Sequence, residues 1–359
     1  MTRNGSASPA LGGVGLLSLA TASPPHVVTQ EAVGAVARSL FGTRYADFER
    51  MAPVFANAGI DERQLARPLE WYLSPRDWSE RSTAYLDAAG ALFLEAAGRA
   101  LARAWLDGRD VDAVVTVSST GIATPSLEAR AGSAMGFRPD VQRTPVFGLG
   151  CAGGVSGLAL AARLARASPG SVVLLVVVEL CSLAFRRDEL SKVNVVATAL
   201  FGDGAAAAVV RAGDDGLAQI EGEAELTWPD TLDIMGWRVD DAGFGVIFDR
   251  AIPPFVRRRM GPAVDSMLSE IGLARSDVGR FVCHPGGAKV IEALERALGV
   301  ADGTLKAERE VLAAHGNMSA PTALYVLERV LDAPTPRRLF LTALGPGFTT
   351  SGVSLLTPS

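Results

Sequence analysis

Cysteine and histidine are scarce in this chain of 359 residues, and each scarcity limits the chemistry that the protein can host. The chain has three of each, namely Cys151, Cys181, Cys283, His26, His284 and His315. An odd number of widely spaced cysteines does not fit a disulfide framework and is typical of free thiols in a reducing compartment. Cys283 and His284 are adjacent, but two further ligands at suitable spacing are absent, so we expect no metal site.

Dense positive charge is also missing. The formal net charge is -5 and the isoelectric point is near 5.4, so there is no electrostatic reason to expect a nucleic-acid partner. No charge-free apolar run reaches the length of a membrane span. The N-terminal segment has an apolar stretch after Arg3, as a signal peptide does, but it carries a single positive side chain and is diluted by Gly and Ser. We therefore expect a cytoplasmic protein.

Hydrophobic residues are abundant, at 48% of the chain, which is enough for a large core. Four parts recur in the same order: a buried strand ending in a polar loop, a polar corner that opens a helix, a second buried strand and a closing segment. In the first half these parts are residues 112–121, the Cys151 corner, residues 169–182 and residues 201–213. In the second half they are residues 278–287, 315–331, 336–348 and 351–358. The repetition predicts a duplicated, five-layered α/β fold with halves at residues 1–213 and 214–359.

Other segments have simpler patterns. Apolar residues spaced by three and four predict a long helix over residues 81–106. Residues 253–273 predict a helix around a proline interruption, and residues 236–250 predict strand and loop. The apolar residues 171–180 end in Glu179 and predict a buried central strand.

The setting of Cys151 is the most informative feature of the chain. A short apolar strand, predicted from Pro145 to Leu149, ends in glycines, and a helix of small residues follows from about Gly154 to Ala165. The cysteine therefore lies at a strand-to-helix corner, where unpaired backbone N–H groups lower the pKa of a thiol and favour the thiolate. A packed structural thiol is the alternative interpretation.

Two other polar groups lie at comparable corners. His284 follows a short apolar strand and precedes Pro-Gly-Gly, and Asn317 follows His315 and a glycine. Taken singly, each has a structural explanation, as a histidine at the edge of the core or as a capping asparagine. Together with Cys151 they supply a nucleophile, an imidazole to hold its ion pair, and N–H donors for a developing oxyanion. Acyl transfer needs these three roles.

The motifs GLGCAGG, VCHPGG, HGNMSAPT and ALGPGF, in that order, resemble those of the chalcone synthase-like type III polyketide synthases of the thiolase superfamily. The resemblance extends from about Ser18 to Leu356. HPGG together with GNMSAPT is its specific part, because the related ketoacyl-acyl-carrier-protein synthases usually have HQAN in place of HPGG. The resemblance implies a thiolase-like α/β fold and a homodimer.

The resemblance also implies a mechanism. Cys151 attacks a starter acyl-CoA and holds the acyl group, while His284 and Asn317 stabilise the enolate that forms as malonyl-CoA loses carbon dioxide. The enolate carbon then attacks the held acyl group, the chain lengthens over repeated rounds, and ring closure releases the product. The substrates are coenzyme A thioesters, and no separate cofactor is implied.

Several pocket residues are carried over from the resemblance. Phe185 matches a gatekeeper between the CoA tunnel and the cavity, although a plain core phenylalanine is the alternative. A second gatekeeper is expected at Gly245 or Val246, where a small residue would widen the cavity. Ser119 and Thr120 match residues that line the pocket.

Three further positions belong to the same expectation. Ser319, within GNMS, shapes the pocket beside the catalytic residues. Arg50 matches a contact to a CoA phosphate, but Asp47 stands where the family has a neighbouring lysine, so the CoA clamp differs. The backbone near Ala288 contacts the pantetheine arm.

The sequence leaves the substrate undecided, and it also leaves two rival functions open. VVVELCSLAF and PVFGLGCAGG resemble the bacterial branch that makes alkylpyrones and alkylresorcinols from fatty acyl-CoA starters, in which Cys181 lines a tunnel or merely packs. An aromatic starter, or malonyl-CoA alone, is the alternative. One rival is a ketoacyl synthase III-like priming enzyme. The other is an NAD-dependent oxidoreductase, because GLGCAG fits G-x-G-x-x-G, but no ribose-binding acid follows at the expected distance.

Overall fold

The structure is a computed structural model that describes residues 13–213 and 216–358. The start of the signal-like segment, residues 1–12, lies outside the described residues. So do residues 214 and 215, beside the predicted junction between the halves, and that junction stays a prediction.

The strands alternate with helices along most of the chain, as the sequence pattern predicts. Their bounds are β1 Val14–Ala22, β2 His26–Thr29, β3 Glu62–Leu65, β4 Ala113–Val117, β5 Gln142–Val146, β6 Val172–Leu180, β7 Asp203–Ala212, β8 Ala218–Thr227, β9 Met235–Asp240, β10 Gly243–Phe248, β11 Arg280–Cys283, β12 Arg338–Gly345 and β13 Thr349–Leu356. The helices are α1 Gln30–Phe41, α2 Phe48–Met51, α3 Pro53–Ala56, α4 Trp78–Arg103, α5 Leu127–Met135, α6 Gly153–Ala167, α7 Lys192–Leu200, α8 Ile252–Glu270, α9 Ala288–Leu298, α10 Lys306–His315 and α11 Thr322–Leu331.

The duplication predicted from the sequence is confirmed by the strand pairing. One nine-stranded sheet has the order β11-β12-β13-β8-β1-β7-β6-β4-β5, and β1 and β8 join its two halves. In the first half β4 is parallel to β6, and β6 is antiparallel to β7. In the second half β11 is parallel to β12, and β12 is antiparallel to β13. The two halves therefore repeat one arrangement of strands.

Five layers result from this arrangement, as in the predicted thiolase-like fold. Helices α4 and α5 cover the outer face of the first half, and α8 and α9 cover the outer face of the second. Helices α6 and α11 lie between the halves and contact strands of both. Every residue of β6 is buried, as its continuous apolar sequence predicts for a strand covered on both faces. The central helices are thus the elements that bring the Cys151 corner towards the second half.

Two local predictions need correction, and a third is confirmed. The strand before Cys151 is β5, which ends at Val146 rather than at Leu149, because Gly148 and Gly150 turn the chain with positive φ. Helix α8 continues through Pro262 without interruption. The predicted strand and loop at 236–250 form the hairpin β9–β10.

The N-terminal apolar stretch is part of the central sheet. It forms β1, which pairs with both β7 and β8. Among the helices of the described residues, none combines the length and the apolar composition that crossing a bilayer requires.

Glycines let the corners of the two halves touch. A Cβ at Gly154 would lie 2.3 Å from the carbonyl oxygen of Ala320, and one at Gly150 would lie 2.6 Å from the ring of Pro346. A Cβ at Gly345 would lie 2.5 Å from the carbonyl oxygen of Leu149. Such distances are too short for any side chain, so these glycines are required by close packing between the halves.

Replacing Gly154 by alanine is therefore expected to destabilise the protein by about 3 kcal/mol or more, since the neighbouring atoms are backbone and cannot move aside. Gly98, within α4, is the matched control, because nothing lies within contact of the added methyl group. Gly98→Ala is expected to stabilise the protein by about 0.5–1 kcal/mol. Urea unfolding of both variants measures the difference, and equal effects would show that the corners are not packed as described.

Candidate active site

Cys151 lies in a single 3-10 turn, Gly150–Ala152, immediately before α6. The sequence prediction of a corner between strand and helix is confirmed. The residue is only 6% exposed, and its thiol donates a hydrogen bond to the hydroxyl of Ser319 at 3.4 Å. The contact joins the corner of the first half to the matching corner of the second.

The ionisation state of Cys151 differs from the sequence expectation. The end of a helix predicts a lowered pKa, but burial raises the pKa of the Cys151 thiol to about 12, and the nearby carboxyl of Glu179 acts in the same direction. The surrounding atoms come from both halves, so the desolvation that they cause was not visible in the local motif. In this closed pocket the group is a thiol at neutral pH, not a preformed thiolate.

Alkylation of Cys151 by iodoacetamide is accordingly expected to accelerate about tenfold for each pH unit from pH 7 to pH 10, because only the thiolate reacts. Cys181 and Cys283 are internal controls, since both are buried and burial raises the pKa of each thiol well above its usual value. Peptide mapping by mass spectrometry measures the three rates. A Cys151 rate that is constant between pH 6 and pH 9 would contradict the buried thiol.

Asn317 is held rigidly at the matching corner of the second half. Its side-chain oxygen accepts a hydrogen bond from the Ser319 backbone at 2.8 Å, and its amide nitrogen donates to the carbonyl oxygen of Gly286 at 3.2 Å. Ser319 has φ 60°, an uncommon conformation for a residue with a side chain. The helix that this corner opens begins only at Thr322, and His315 ends the preceding helix α10.

His284 follows β11 directly, as predicted. Its backbone N–H donates to the carbonyl oxygen of Thr342 at 2.9 Å, and its ring is buried. Neither ring nitrogen has a hydrogen-bond partner among the described residues. Burial lowers the pKa of the imidazole to about 4, so the ring is neutral at pH 7.

Contacts link the three predicted catalytic residues into one cluster. Cys151 touches Ser319, Ser319 is bonded to Asn317, and Asn317 is bonded to Gly286, where an added Cβ would lie 3.8 Å from the ring of His284. The arrangement offers a thiol, a neutral imidazole that accepts or donates a proton, and a carboxamide donor, all three on buried residues. The ion pair expected from the sequence is replaced by two uncharged groups, because no nearby group offsets their burial.

Ser119 and Thr120 hold the backbone of the Cys151 turn and of the neighbouring strand β6, respectively. The hydroxyl of Ser119 accepts hydrogen bonds from the backbone of Gly148 at 3.1 Å and of Gly150 at 3.3 Å. Its own N–H donates to both carboxyl oxygens of Glu179, which is fully buried on β6. The hydroxyl of Thr120 accepts from the backbone of Leu180. Their predicted contacts with substrate stay a prediction, whereas the structural role of Glu179 was not found in the sequence.

An apolar cavity adjoins the cluster through Phe201, whose backbone pairs with Asn317, although the three predicted catalytic residues do not themselves line it. Phe185, Val246 and Cys181 all line it, and the ring of Phe185 packs edge-on against Phe41 and Tyr72. Of the two positions considered for the second gatekeeper, Val246 is the one at the cavity. A Cβ at the other, residue 245, would instead lie 2.9 Å from the guanidinium carbon of residue 186.

Sequence reasoning missed Phe201. Its backbone forms a parallel bridge with Asn317, and its side chain lines the same cavity as Phe185. Its ring packs near Trp237 and Phe248. The only sequence signal was its place in FGDGAAAAVV, a segment shared too widely to be informative.

The two predicted CoA contacts lie outside this cluster. Arg50 is exposed and forms an ion pair with Asp47 at 3.1 Å. Asp47, which stands where the family has a lysine, is therefore the partner of the arginine side chain. Ala288 begins α9 and packs beside the loop at Gly59. Their contacts with CoA stay predictions.

The glycines of GLGCAG are not arranged for a dinucleotide. The space above Gly150 is filled by Pro346, and Gly153 packs against Val117 and Ala320. A pyrophosphate therefore cannot approach this turn, which argues against the oxidoreductase reading of the motif.

Comparison with known proteins gives a consistent result. Residues 78–214 match the N-terminal domain of the chalcone and stilbene synthases, and residues 220–357 match their C-terminal domain. The 1,3,6,8-tetrahydroxynaphthalene synthase of Streptomyces peucetius subsp. caesius is 40% identical over 344 residues, covering 94% of this chain and 91% of that protein. The α-pyrone synthesis polyketide synthase-like Pks18 of Mycobacterium tuberculosis is 29% identical over 355 residues, covering 93% and 89%.

A solved structure is similar over nearly its whole length. The crystal structure of 1,3,6,8-tetrahydroxynaphthalene synthase from Streptomyces coelicolor A3(2), described as a bacterial type III polyketide synthase, has a TM-score of 0.91 and 28% identity. The match covers 96% of this chain and 99% of that one. The chain therefore belongs to the chalcone and stilbene synthase family and is a type III polyketide synthase, an acyltransferase that forms carbon–carbon bonds.

Proposed function

We propose that this enzyme condenses malonyl-CoA repeatedly onto a fatty acyl group held on Cys151 and releases a pyrone or a resorcinol-type product. The observation that carries the proposal is the cluster of Cys151, His284 and Asn317, which an apolar cavity adjoins through Phe201. Both substrates are coenzyme A thioesters, and the proposal needs no separate cofactor.

The first step transfers the starter. Cys151 passes its thiol proton to the neutral imidazole of His284 as the sulfur attacks the acyl-CoA carbonyl. The bond between the acyl carbon and the CoA sulfur breaks, and the departing CoA thiolate takes the proton from His284. The acyl group is then held as a thioester on Cys151, and both side chains are again uncharged.

The second step forms the carbon–carbon bond. Malonyl-CoA loses carbon dioxide, and the negative charge moves to its thioester oxygen, where an N–H of His284 and the second N–H of Asn317 stabilise it. The enolate carbon attacks the Cys151 thioester, the carbon–sulfur bond of Cys151 breaks, and the released sulfur takes a proton from solvent to become a thiol again. The lengthened chain leaves on CoA and returns to the cysteine for another round.

The fatty starter is supported by the composition of the cavity. Aliphatic residues of α1 form one wall, and Val246 is the small residue at the position expected for the second gatekeeper. Apolar walls stabilise a hydrocarbon chain by removing its surface from water. A second candidate is a product built from malonyl-CoA alone, which the name of the 40% identical tetrahydroxynaphthalene synthase favours.

A panel of straight-chain acyl-CoAs of increasing length, each mixed with malonyl-CoA, tests the starter. The proposal predicts products whose masses equal the starter plus two-carbon ketide units, with long chains preferred. Product from malonyl-CoA alone, unchanged by added starter, would favour the second candidate. Unchanged substrates throughout would overturn both. Malonate delivered on an acyl-carrier protein should be a poor substrate, and a preference for it would favour a priming ketoacyl synthase.

We also propose that the enzyme is a cytoplasmic homodimer. The edge strand β5 and its surroundings carry exposed apolar side chains, Phe147 at 55% and Ile122 at 58%. Such side chains beside an unpaired strand edge favour association with a second copy. Light scattering after size-exclusion chromatography measures the mass, and a monomer at micromolar concentration would contradict the proposal.

A further inference from the structure

Arg63 is a buried cation that, among the described residues, has no carboxylate at hydrogen-bonding distance, although the charge of Asp203 acts on it. It is 1% exposed, and burial lowers the pKa of its guanidinium to about 10. Its hydrogen bonds run to four oxygens, namely the side chain of Gln30 and the backbone carbonyls of Thr198, Ala199 and Phe201. Burying a charged group costs free energy, so the contacts that stabilise the Arg63 guanidinium need an explanation.

The three carbonyls belong to the end of α7 and to the residue that follows it. The last carbonyls of a helix have no partner within the helix and carry its partial negative charge, which a cation stabilises. The planar fork of Arg63 satisfies several of them at once, which a lysine cannot do. The guanidinium therefore fixes the conformation of residues 198–201.

The same segment holds Asn317 from both sides. The backbone N–H of Asn317 donates to the carbonyl oxygen of Leu200 at 2.9 Å, and its carbonyl oxygen accepts from Gly202 at 3.0 Å. The packing is tight, because a Cβ at Gly202 would lie 2.2 Å from the carbonyl oxygen of His315 and 3.3 Å from the Cβ of Arg63. The place of Asn317 in the site is thus set by a backbone segment that Arg63 holds.

We propose that Arg63 is the positioning residue for Asn317 and controls the decarboxylation of malonyl-CoA, but not the acylation of Cys151. The proposal rests on the function proposed above. It separates the two half-reactions, because the turn that carries Cys151 is held by Ser119 and by the glycines of its own corner, which form no hydrogen bond with Arg63. A displacement of the Asn317 amide by about 1 Å is enough to cost about 10- to 100-fold in rate.

The test measures the half-reactions separately. Conversion of malonyl-CoA to acetyl-CoA and carbon dioxide is followed in a Cys151→Ala background, and alkylation of Cys151 is followed with the cysteine present. Arg63→Lys is expected to lower the kcat of decarboxylation about 10- to 100-fold with little change in KM, and to leave alkylation within about twofold. Arg67→Lys is the matched control, since Arg67 lies on the same segment but pairs with Asp87 nearer the surface.

A second variant keeps the proposal testable if the Arg63 variants do not fold. Gln30→Met removes one partner of Arg63 and leaves the three carbonyl contacts, so it should slow decarboxylation less than Arg63→Lys and again spare alkylation. Parallel losses in both half-reactions, or no loss in either, would overturn the positioning role. A Cys151→Ala enzyme with Arg63 intact that cannot decarboxylate malonyl-CoA would instead overturn the proposed function, and this role with it.

Discussion

Replacing Cys151 by alanine is expected to lower the rate of polyketide formation by at least about 10⁴-fold, because removal of a nucleophile eliminates the covalent intermediate. The enolate-stabilising groups stay in place, so malonyl-CoA should still be converted to acetyl-CoA. Product formation is measured by liquid chromatography and mass spectrometry, and decarboxylation by the appearance of acetyl-CoA.

Cys283→Ala is the control for this variant. Cys283 is the last residue of β11 and is fully buried. It makes no contact with Cys151 in the cluster described. It should retain turnover within a few-fold even if the smaller side chain costs some stability. Polyketide formation by the Cys151→Ala enzyme at a rate near that of the intact enzyme would show that the acyl group is held elsewhere.

Replacing Asn317 by aspartate is expected to lower decarboxylation of malonyl-CoA about 10²- to 10³-fold, the usual cost of losing one preorganised donor to an oxyanion. Aspartate keeps the oxygen that accepts from Ser319, but it loses the amide donor to Gly286 and cannot donate to the enolate. Steady-state kinetics with malonyl-CoA should show the loss in kcat rather than in KM.

Acylation of Cys151 is the internal control for Asn317→Asp. Starter transfer does not use the Asn317 donor in the proposed sequence of steps, so the release of CoA from a starter acyl-CoA should persist when malonyl-CoA is left out. An exposed asparagine, Asn57, follows α3 and provides a matched change of charge that should affect neither step. Equal loss of acylation and decarboxylation in Asn317→Asp would contradict the assignment of Asn317 to the enolate.

Much of this architecture was predictable because its signals are local. The continuous apolar sequence of β6, the small residues of α6 and the polar corners at Cys151, His284 and Asn317 each reflect a constraint that acts within a few residues. Their recurrence in the same order predicted the duplication, and the strand pairing confirms it. Short motifs at the three corners then identified the family.

What the sequence could not predict depends on contacts between distant segments. The pKa of Cys151 is raised by burial and by the carboxyl of Glu179 on β6, and no residue near position 151 indicates this. Arg63 and Phe201 matter through their relation to Asn317, more than 100 residues away along the chain. Assigning the second gatekeeper to Val246 rather than to its neighbour requires the register of the hairpin β9–β10. An alignment that is uncertain by one residue cannot supply that register.

The most direct measurement is the mass of the peptide that contains Cys151 after brief incubation with a fatty acyl-CoA, first without and then with malonyl-CoA. The mechanism predicts that the peptide gains the mass of the starter acyl group, and that malonyl-CoA then adds species heavier by two-carbon ketide units. An unmodified Cys151 peptide from enzyme that is making product, or an acyl group found on another residue, would contradict the account.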